Sequence, residues 1–520
     1  MSFFRSLQSE RHIAVAPDRD SVESIRRAAF LLKSKRLAAL LSLRGGREER
    51  SLLLLFLASL ALLNPWIRGD GVGYYAFARA PLIEHSFNFE RDYIAANTSF
   101  REARLDQNGQ PKAIFRTPTG HLENHFTVGP AILWTPFLLV AHAGVILARA
   151  AGSQVPADGL SEPYRVAMAF GTALYGFLAL LLSFRVARQY SGRLWALPAT
   201  IAIWWASSLP VYMYFNPSWS HAHSAFAVAL FLWYWHETRE QRSASQWCVL
   251  AVIAGLMLNV YYANVMLLTV LVVEAVRQYS AAFRDSSPKT AAVSQLLARH
   301  GLFLAIVAVC LFPTFITRYI IYGSPFTTGY SSVQDWPWRS PFFFAVLFSS
   351  EHGLFSWTPL LLLATAGLVW FRFREPRAGT PLLAAALAFY IFIACYPDWA
   401  GISSYGNRFF VSLTPLFILG LGVLLERTAA FFRTQRVALA TASAVLAGFV
   451  LWNTAFMFQW GGHLIPARGP ISWSQMIHNQ FFVVPRQLSA HLQNYLFHRH
   501  DLMRQIEQRD IEQMKTQATP

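Results

Sequence analysis

The sequence predicts an all-α polytopic membrane protein of about eleven transmembrane helices, and three observations carry that expectation. Charged residues make up 14% and hydrophobic residues 54% of the 520 residues, whereas about a quarter of a soluble globular chain is charged. Apolar runs of roughly 17–25 residues, long enough to cross a bilayer as helix, recur along the chain. The basic residues behind the net charge of +16 sit in short clusters between those runs. That arrangement orients helices in a bilayer, and it argues against a nucleic-acid-binding surface. Cys248, Cys310 and Cys395 lie in or near apolar runs and read as packed thiols without a disulfide framework.

Taken in order, residues 1–50 form a basic arm expected in the cytoplasm. Asp20-x-x-Glu23 resembles a capping box that opens a helix to about Leu43. Ile25, Ala29 and Leu32 share one face with basic residues elsewhere, the pattern of a helix lying on anionic lipid. Ser51 to Ile67 is read as an uncleaved anchor crossing outward, with no cleavable signal peptide before it. It opens a transmembrane domain, 51–458, whose first external loop, 68–165, is expected to carry surface-lying helices. The run Val128–Leu147 is long enough to cross, yet no basic cluster follows it, whereas Val166–Phe184 ends in Arg185, Arg188 and Arg193. The positive-inside rule therefore lays 128–147 along the outer surface or makes it re-enter.

The later runs alternate regularly. Leu194–Met213 goes out and Trp219–His236 returns; Trp247–Val276 is broken near Asn259, Tyr261, Tyr262 and Asn264 into two short helices meeting near the outer face. Leu302–Ile321 leads to an aromatic external loop, and Leu354–Phe371, Leu382–Tyr396, Phe409–Leu425 and Val437–Phe458 complete the set. The amino end is then inside and the carboxyl end outside. The tail, 459–520, is expected as a short external domain or surface-lying helices without a catalytic role.

On this topology the unusual polar residues collect at the outer ends of the spans. Arg68-Gly-Asp-Gly-Val-Gly-Tyr-Tyr75 delivers a carboxylate, Asp70, just beyond the first run, among glycines that allow a sharp turn and a close approach by substrate. A charge in lipid is costly, so Asp70 belongs at an interface or in a watery cavity. The loop Asp398 to Phe409 ends in Asn407 and Arg408, and a guanidinium at an interface grips a phosphate with two parallel hydrogen bonds. Tyr405 is a candidate to line a sugar. His221 and His223, two apart on a helix, point to different faces, so one is expected at the cavity and the other in a structural place. Glu90, Asp92, Glu351 and Asp398 are candidate supporting acids. Asp70 with Glu90 or Asp92 has oxygen ligands for a divalent cation, but the spacing is not diagnostic, so the metal stays open.

These residues carry a resemblance. Gly69-Asp70 after the first span, Asn124 to Phe137, Ser220-His-Ala-His223, Gly353-Leu-Phe with Pro359, and the loop Asp398 to Arg408 make the chain resemble a bacterial member of the GT-C superfamily. Those are integral-membrane glycosyltransferases that use polyprenyl-phosphate-linked sugars, and the style is nearest to the protein O-mannosyltransferase-like branch. The resemblance spans about residues 51 to 458. It implies a GT-C-like bundle in the inner membrane with a periplasmic site. Asp70 would be the catalytic base toward a glycan, lipid or protein acceptor hydroxyl. Arg408, with His221 or His223, would stabilise the leaving phosphate. The expected reaction inverts the anomeric centre; no cofactor is certain. A transporter, or a carrier or scaffold for a lipid-linked glycan, is the rival reading, favoured by the mid-run Asn259 and Asn264 and opposed by the lack of internal repeats.

Overall fold

The computed structural model describes residues 46–284 and 289–518; the arm helix expected over residues 20–43 lies outside them. The chain divides into two compact units, Met1–Leu54 and Leu55–Pro520. In the first, the described residues open helix α1 (Arg47–Ser59) with Glu48 and Glu49 in its first turn. The Glu49 carboxylate accepts the Gly46 N–H at 2.9 Å, where the helix dipole favours an acid.

The second unit is helical throughout, and among the described residues its only strand-like pairings are two isolated bridges. Its main helices are α2 (Asp70–Arg79), α3 (Gly129–Ala150), α4 (Glu162–Trp205), α5 (His221–Thr238), α6 (Ala244–Val260), α7 (Thr269–Arg284), α8 (Lys289–Cys310) and α9 (Phe312–Tyr322). They continue with α10 (Leu360–Arg374), α11 (Pro376–Ala394), α12 (Thr414–Ala429), α13 (Gln435–Gly461), α14 (Val484–Phe497) and α15 (Arg499–Ala518).

The chain is thus an all-α membrane protein, but among the described residues seven helices, not eleven, are long and apolar enough to cross a bilayer. The difference has a local cause: several apolar runs are interrupted. The first ends as helix at Ser59, makes one 3-10 turn and is extended from Leu63. The run 302–321 breaks at Leu311, before Pro313 in the first turn of α9. The run 247–276 breaks at Tyr261, whose backbone is extended, between α6 and a 3-10 turn leading to α7, as the sequence predicts. In α4 the break falls at Gly192, φ 67°, beside the basic cluster.

The core is built on α12, which packs against α4 and α10. A Cβ on Gly367 would stand 2.0 Å from the Gly420 carbonyl oxygen, and one on Gly420 would stand 2.1 Å from that of Ala364. The two backbones therefore touch, the close packing that small residues allow in membranes. One end of the bundle is closed by ion pairs, Arg374 with Glu426 and Arg242 with Glu274 at 3.0 Å, and by the hydrogen bond of Gln189 to Glu237 at 2.7 Å. The other end, roughly 24 Å away along the sixteen residues from His221 to Glu237, carries α2 and the polar site.

Helix α3 is long and apolar enough to cross, yet both its ends are tied to the segment after Asp70. At its start the Thr127 hydroxyl donates to the Val260 carbonyl and Phe126 packs on Gly73. Beyond its end Tyr75 donates to the Gly159 carbonyl at 2.5 Å and Arg91 pairs with Asp158. Along its length it runs antiparallel to the first part of α4, with Trp134 donating to Thr172 and His142 bonded to Tyr164.

Candidate functional site

Asp70 is the first residue of α2, and the turn before it is fixed by two hydrogen bonds. The Gly69 N–H donates to Asn97 Oδ1 at 3.2 Å, and the Arg68 carbonyl accepts from Trp219 Nε1 at 2.9 Å. Gly69 takes φ 52°, in the region glycine tolerates. Gly71 and Gly73 then allow protein, rather than substrate, to come close. A Cβ on Gly71 would stand 1.9 Å from Ser218 Oγ, and one on Gly73 would stand 2.2 Å from the Phe126 ring.

The carboxylate lines a cavity of about 380 Å³. Arg408 enters from the opposite wall, at the start of a 3-10 turn (Arg408–Leu413), and its guanidinium pairs with Asp70 Oδ2 at 2.9 Å. Its Cζ lies 4.5 Å above the Trp219 ring, a cation–π contact that orients the plane. Its buried Nε has no hydrogen-bond partner among the described residues. Arg408 is the more enclosed member, with side-chain exposures of 11% against 32% for Asp70. His221 also lines the cavity, its ring 4.6 Å from that of Tyr212, and its buried Nδ1 has no partner among the described residues. Asp398 lines it as well, 3.5 Å from the Tyr396 hydroxyl, whose pKa burial and the neighbouring carboxylate push up to about 12.

Four of the ten predicted residues therefore converge: Asp70, Arg408, His221 and Asp398. The others do not line the cavity. His223 is fully buried, perpendicular to Trp134 at 5.0 Å, on the far side of α5 as two-residue spacing requires. Tyr405 is fully buried and donates to Asn453 Oδ1 at 2.7 Å, which ties the loop to α13 and removes it from any sugar. Asn407 is buried and donates to the Trp399 carbonyl at 3.2 Å within the same loop. Asp92 forms a bidentate pair with Arg79, both contacts 2.6 Å, and Glu90 pairs with Arg116 at 2.6 Å. Glu351 stands outside, but its neighbour His352 supports the site by donating from Nδ1 to the Ala400 carbonyl at 2.7 Å. Among the described residues no three His, Cys, Asp or Glu side chains gather to hold a metal ion, so a divalent cation finds no ready donor set at Asp70.

His125, Tyr74, Tyr261, Tyr262, Tyr330, Trp336 and Tyr396 also line the cavity and give it several aromatic faces. Burial holds the His125 imidazole down at about 4, so it is neutral. Arg318 went unnoticed: its guanidinium donates to the carbonyls of Asn124, His125 and Phe126 at 2.6–2.7 Å and to the Tyr262 hydroxyl at 2.6 Å. Nothing local distinguishes an arginine that organises backbone carbonyls about 190 positions away from one that marks a helix end.

Neither a family profile nor a curated protein sequence matches the chain. Among solved structures it is similar to an oligosaccharyltransferase of Archaeoglobus fulgidus in complex with zinc and sulfate. The identity is 16% and the TM-score 0.47, over 78% of this chain and 55% of that one. A second is the oligosaccharyltransferase AglB of Archaeoglobus fulgidus with an inhibitory peptide and a dolichol-phosphate, at 13% identity, TM-score 0.45, and 89% and 56% coverage. A third is ArnT from Cupriavidus metallidurans in the apo state, at 14% identity, TM-score 0.42, and 79% and 72% coverage. The chain spans little more than half the length of the first two.

Proposed function

We propose that this chain is a GT-C-type membrane glycosyltransferase that moves a sugar from a polyprenyl-phosphate donor to an acceptor hydroxyl. The observation that carries the reading is the pairing of Asp70 with Arg408 in the wall of an aromatic cavity, at the end of the bundle opposite its ionic closure. The donor phosphate competes with Asp70 for Arg408 and takes the unpartnered Nε side of the guanidinium. Asp70, released, accepts the proton of the acceptor hydroxyl as that oxygen bonds to the anomeric carbon. The bond from that carbon to the phosphate oxygen breaks, and its electron pair leaves with the polyprenyl phosphate. Arg408 balances the charge that grows there. His221 supplies a further polar contact, and Asp398 with Tyr396 hydrogen-bonds the sugar hydroxyls. A single displacement of this kind inverts the anomeric configuration.

In this reading the protein sits in a bacterial inner membrane, the amino end in the cytoplasm and the cavity on the periplasmic side. The rival carrier reading loses its main support, because Asn259 and Asn264 are engaged structurally. Asn259 donates to the Gly255 and Cys310 carbonyls and accepts from Thr314; Asn264 bonds Ser224 and the Met257 carbonyl. The test is transfer of labelled hexose or pentose from polyprenyl-phosphate donors by the purified protein. Asp70→Asn is expected to lower the rate by about 10²–10⁴-fold with donor binding kept. Transfer undiminished in that variant contradicts the assignment.

A further inference from the structure

Behind the Arg68–Asp70 turn lies a second cavity, of about 220 Å³. Its walls are residues 62–68, the end of α13, and the C-terminal helices α14 and α15. The two hollows stand back to back: Arg68 and Ser403 line this one, and Asp70, Gly401 and Ile402 line the first. Trp205, Phe215, Met457, Met503 and Ile506 make its lining apolar. Packed interiors leave few voids larger than a water molecule, and an apolar void does not hold ordered water. A hollow of this size at the rim of a membrane protein calls for hydrocarbon.

Its two ends differ in chemistry. Leu488 and Leu492, one turn apart on α14, line the cavity while remaining 43% and 45% exposed, so the mouth is apolar. The other end is polar. Asp510 accepts from Arg68 at 2.5 Å and from His463 Nε2 at 2.9 Å. The His463 side chain is only 6% exposed, yet among the described residues its Nδ1 has no hydrogen-bond partner, and neither has the buried Nε1 of Trp460 beside it. Arg499 and Arg509 stand near on the backbone carbonyls of Leu63 and Gly462. Arg68 and His463 thus hold the Asp510 carboxylate from two sides.

We propose that this cavity binds one hydrocarbon chain of an anionic phospholipid from the surrounding bilayer, with the head group seated at Arg68, His463 and Trp460. The site is separate from the sugar-transfer cavity, and the proposal does not depend on that activity. A polyprenyl phosphate shares the chemistry of chain and phosphate. Under the proposed function it is assigned to the first cavity, which Arg408 lines, and the test below compares the two lipids at this one.

The test uses the full chain in lipid nanodiscs with phosphatidylglycerol carrying a photoreactive acyl chain, and crosslinks mapped by mass spectrometry. Labelling is expected to concentrate on residues 454–463 and 488–506. It should exceed that of phosphatidylcholine with the same chain by about fivefold, as a basic head-group site requires. Met503→Trp and Leu492→Trp, which fill the hollow, should each remove most of it, while Val140→Trp on α3 leaves it unchanged. Competition by unlabelled phosphatidylglycerol in the unaltered protein gives the same answer without a variant that has to fold. Labelling spread evenly around the apolar surface, or undiminished by competitor, overturns the proposal. Stronger labelling of this cavity by a photoreactive polyprenyl phosphate than by phosphatidylglycerol overturns it too.

Discussion

In the proposed reaction Arg408 acts through the shape of its guanidinium as well as through its charge. Nη1 pairs with Asp70, the plane lies on Trp219, and Nε has no partner among the described residues. A lysine keeps the charge but cannot hold two partners in one plane. Arg408→Lys is therefore expected to lower transfer about tenfold to a hundredfold, chiefly in the chemical step, measured as kcat on a fixed donor. His352 gives a test of a different kind. Burial holds its imidazole down at about 4, and that of His125 likewise. A histidine kept neutral by folding binds fewer protons folded than unfolded, so its contribution is complete above an unfolded pKa near 6.5 and is lost as pH falls toward 4. The melting temperature is expected to fall across that window, and His352→Gln should flatten part of the slope; a melting temperature constant from pH 7 to 4 contradicts the buried neutral state.

At the scale of the element, α2 is the part on which the site depends. Its glycines are close-approach positions, so Gly71→Ala drives a methyl into Ser218, whereas Gly144, in the middle of α3, has open space around it. Gly71→Ala is expected to destabilise by about 1–3 kcal/mol or more, and Gly144→Ala to be neutral or slightly stabilising. Thermal unfolding in detergent distinguishes them. The sequence shows that a turn and a tight approach occur at 69–73, because glycine spacing is local information. What approaches is not local: Ser218 and Phe126 lie well over a hundred and about fifty positions away. The same limit explains Tyr405 and Asp92. Each stands in a polar, loop-like stretch, and only the fold reveals that Asn453 takes the one and Arg79 the other. Asp398 and Arg408 both line the cavity because they stand on one short loop, which His352 anchors at the Ala400 carbonyl.

For the whole molecule, the helices follow from apolar periodicity and the breaks from Asn, Tyr and Pro, so the all-α membrane architecture is legible along the chain. The number of full spans is not, since a 3-10 turn or one extended residue shortens a run without changing its hydropathy. The tail is the larger surprise. It is expected to have no catalytic role, yet it returns to brace the strap before Asp70. Asp510 holds Arg68, and Glu507 accepts from the Asn97 amide at 2.9 and 3.0 Å and from the Ser99 N–H at 2.8 Å. Asn97 in turn holds the Gly69 N–H. Glu507→Ala leaves those donors unpaired, at about 1–3 kcal/mol. Amide exchange is expected to quicken over residues 66–72 and in α15 together; exchange confined to α15 would mean that the tail does not support the strap.

The central claim is that Arg408 passes from Asp70 to the phosphate of a lipid-linked sugar and thereby frees the carboxylate as a base. An experimental structure of the full chain with bound polyprenyl phosphate tests it most directly. The phosphate is expected within hydrogen-bond reach of Arg408 in the aromatic cavity, with Asp70 released and open toward the acceptor side. A phosphate bound outside that cavity, or an Arg408 still paired with Asp70 when the lipid is in place, would contradict it.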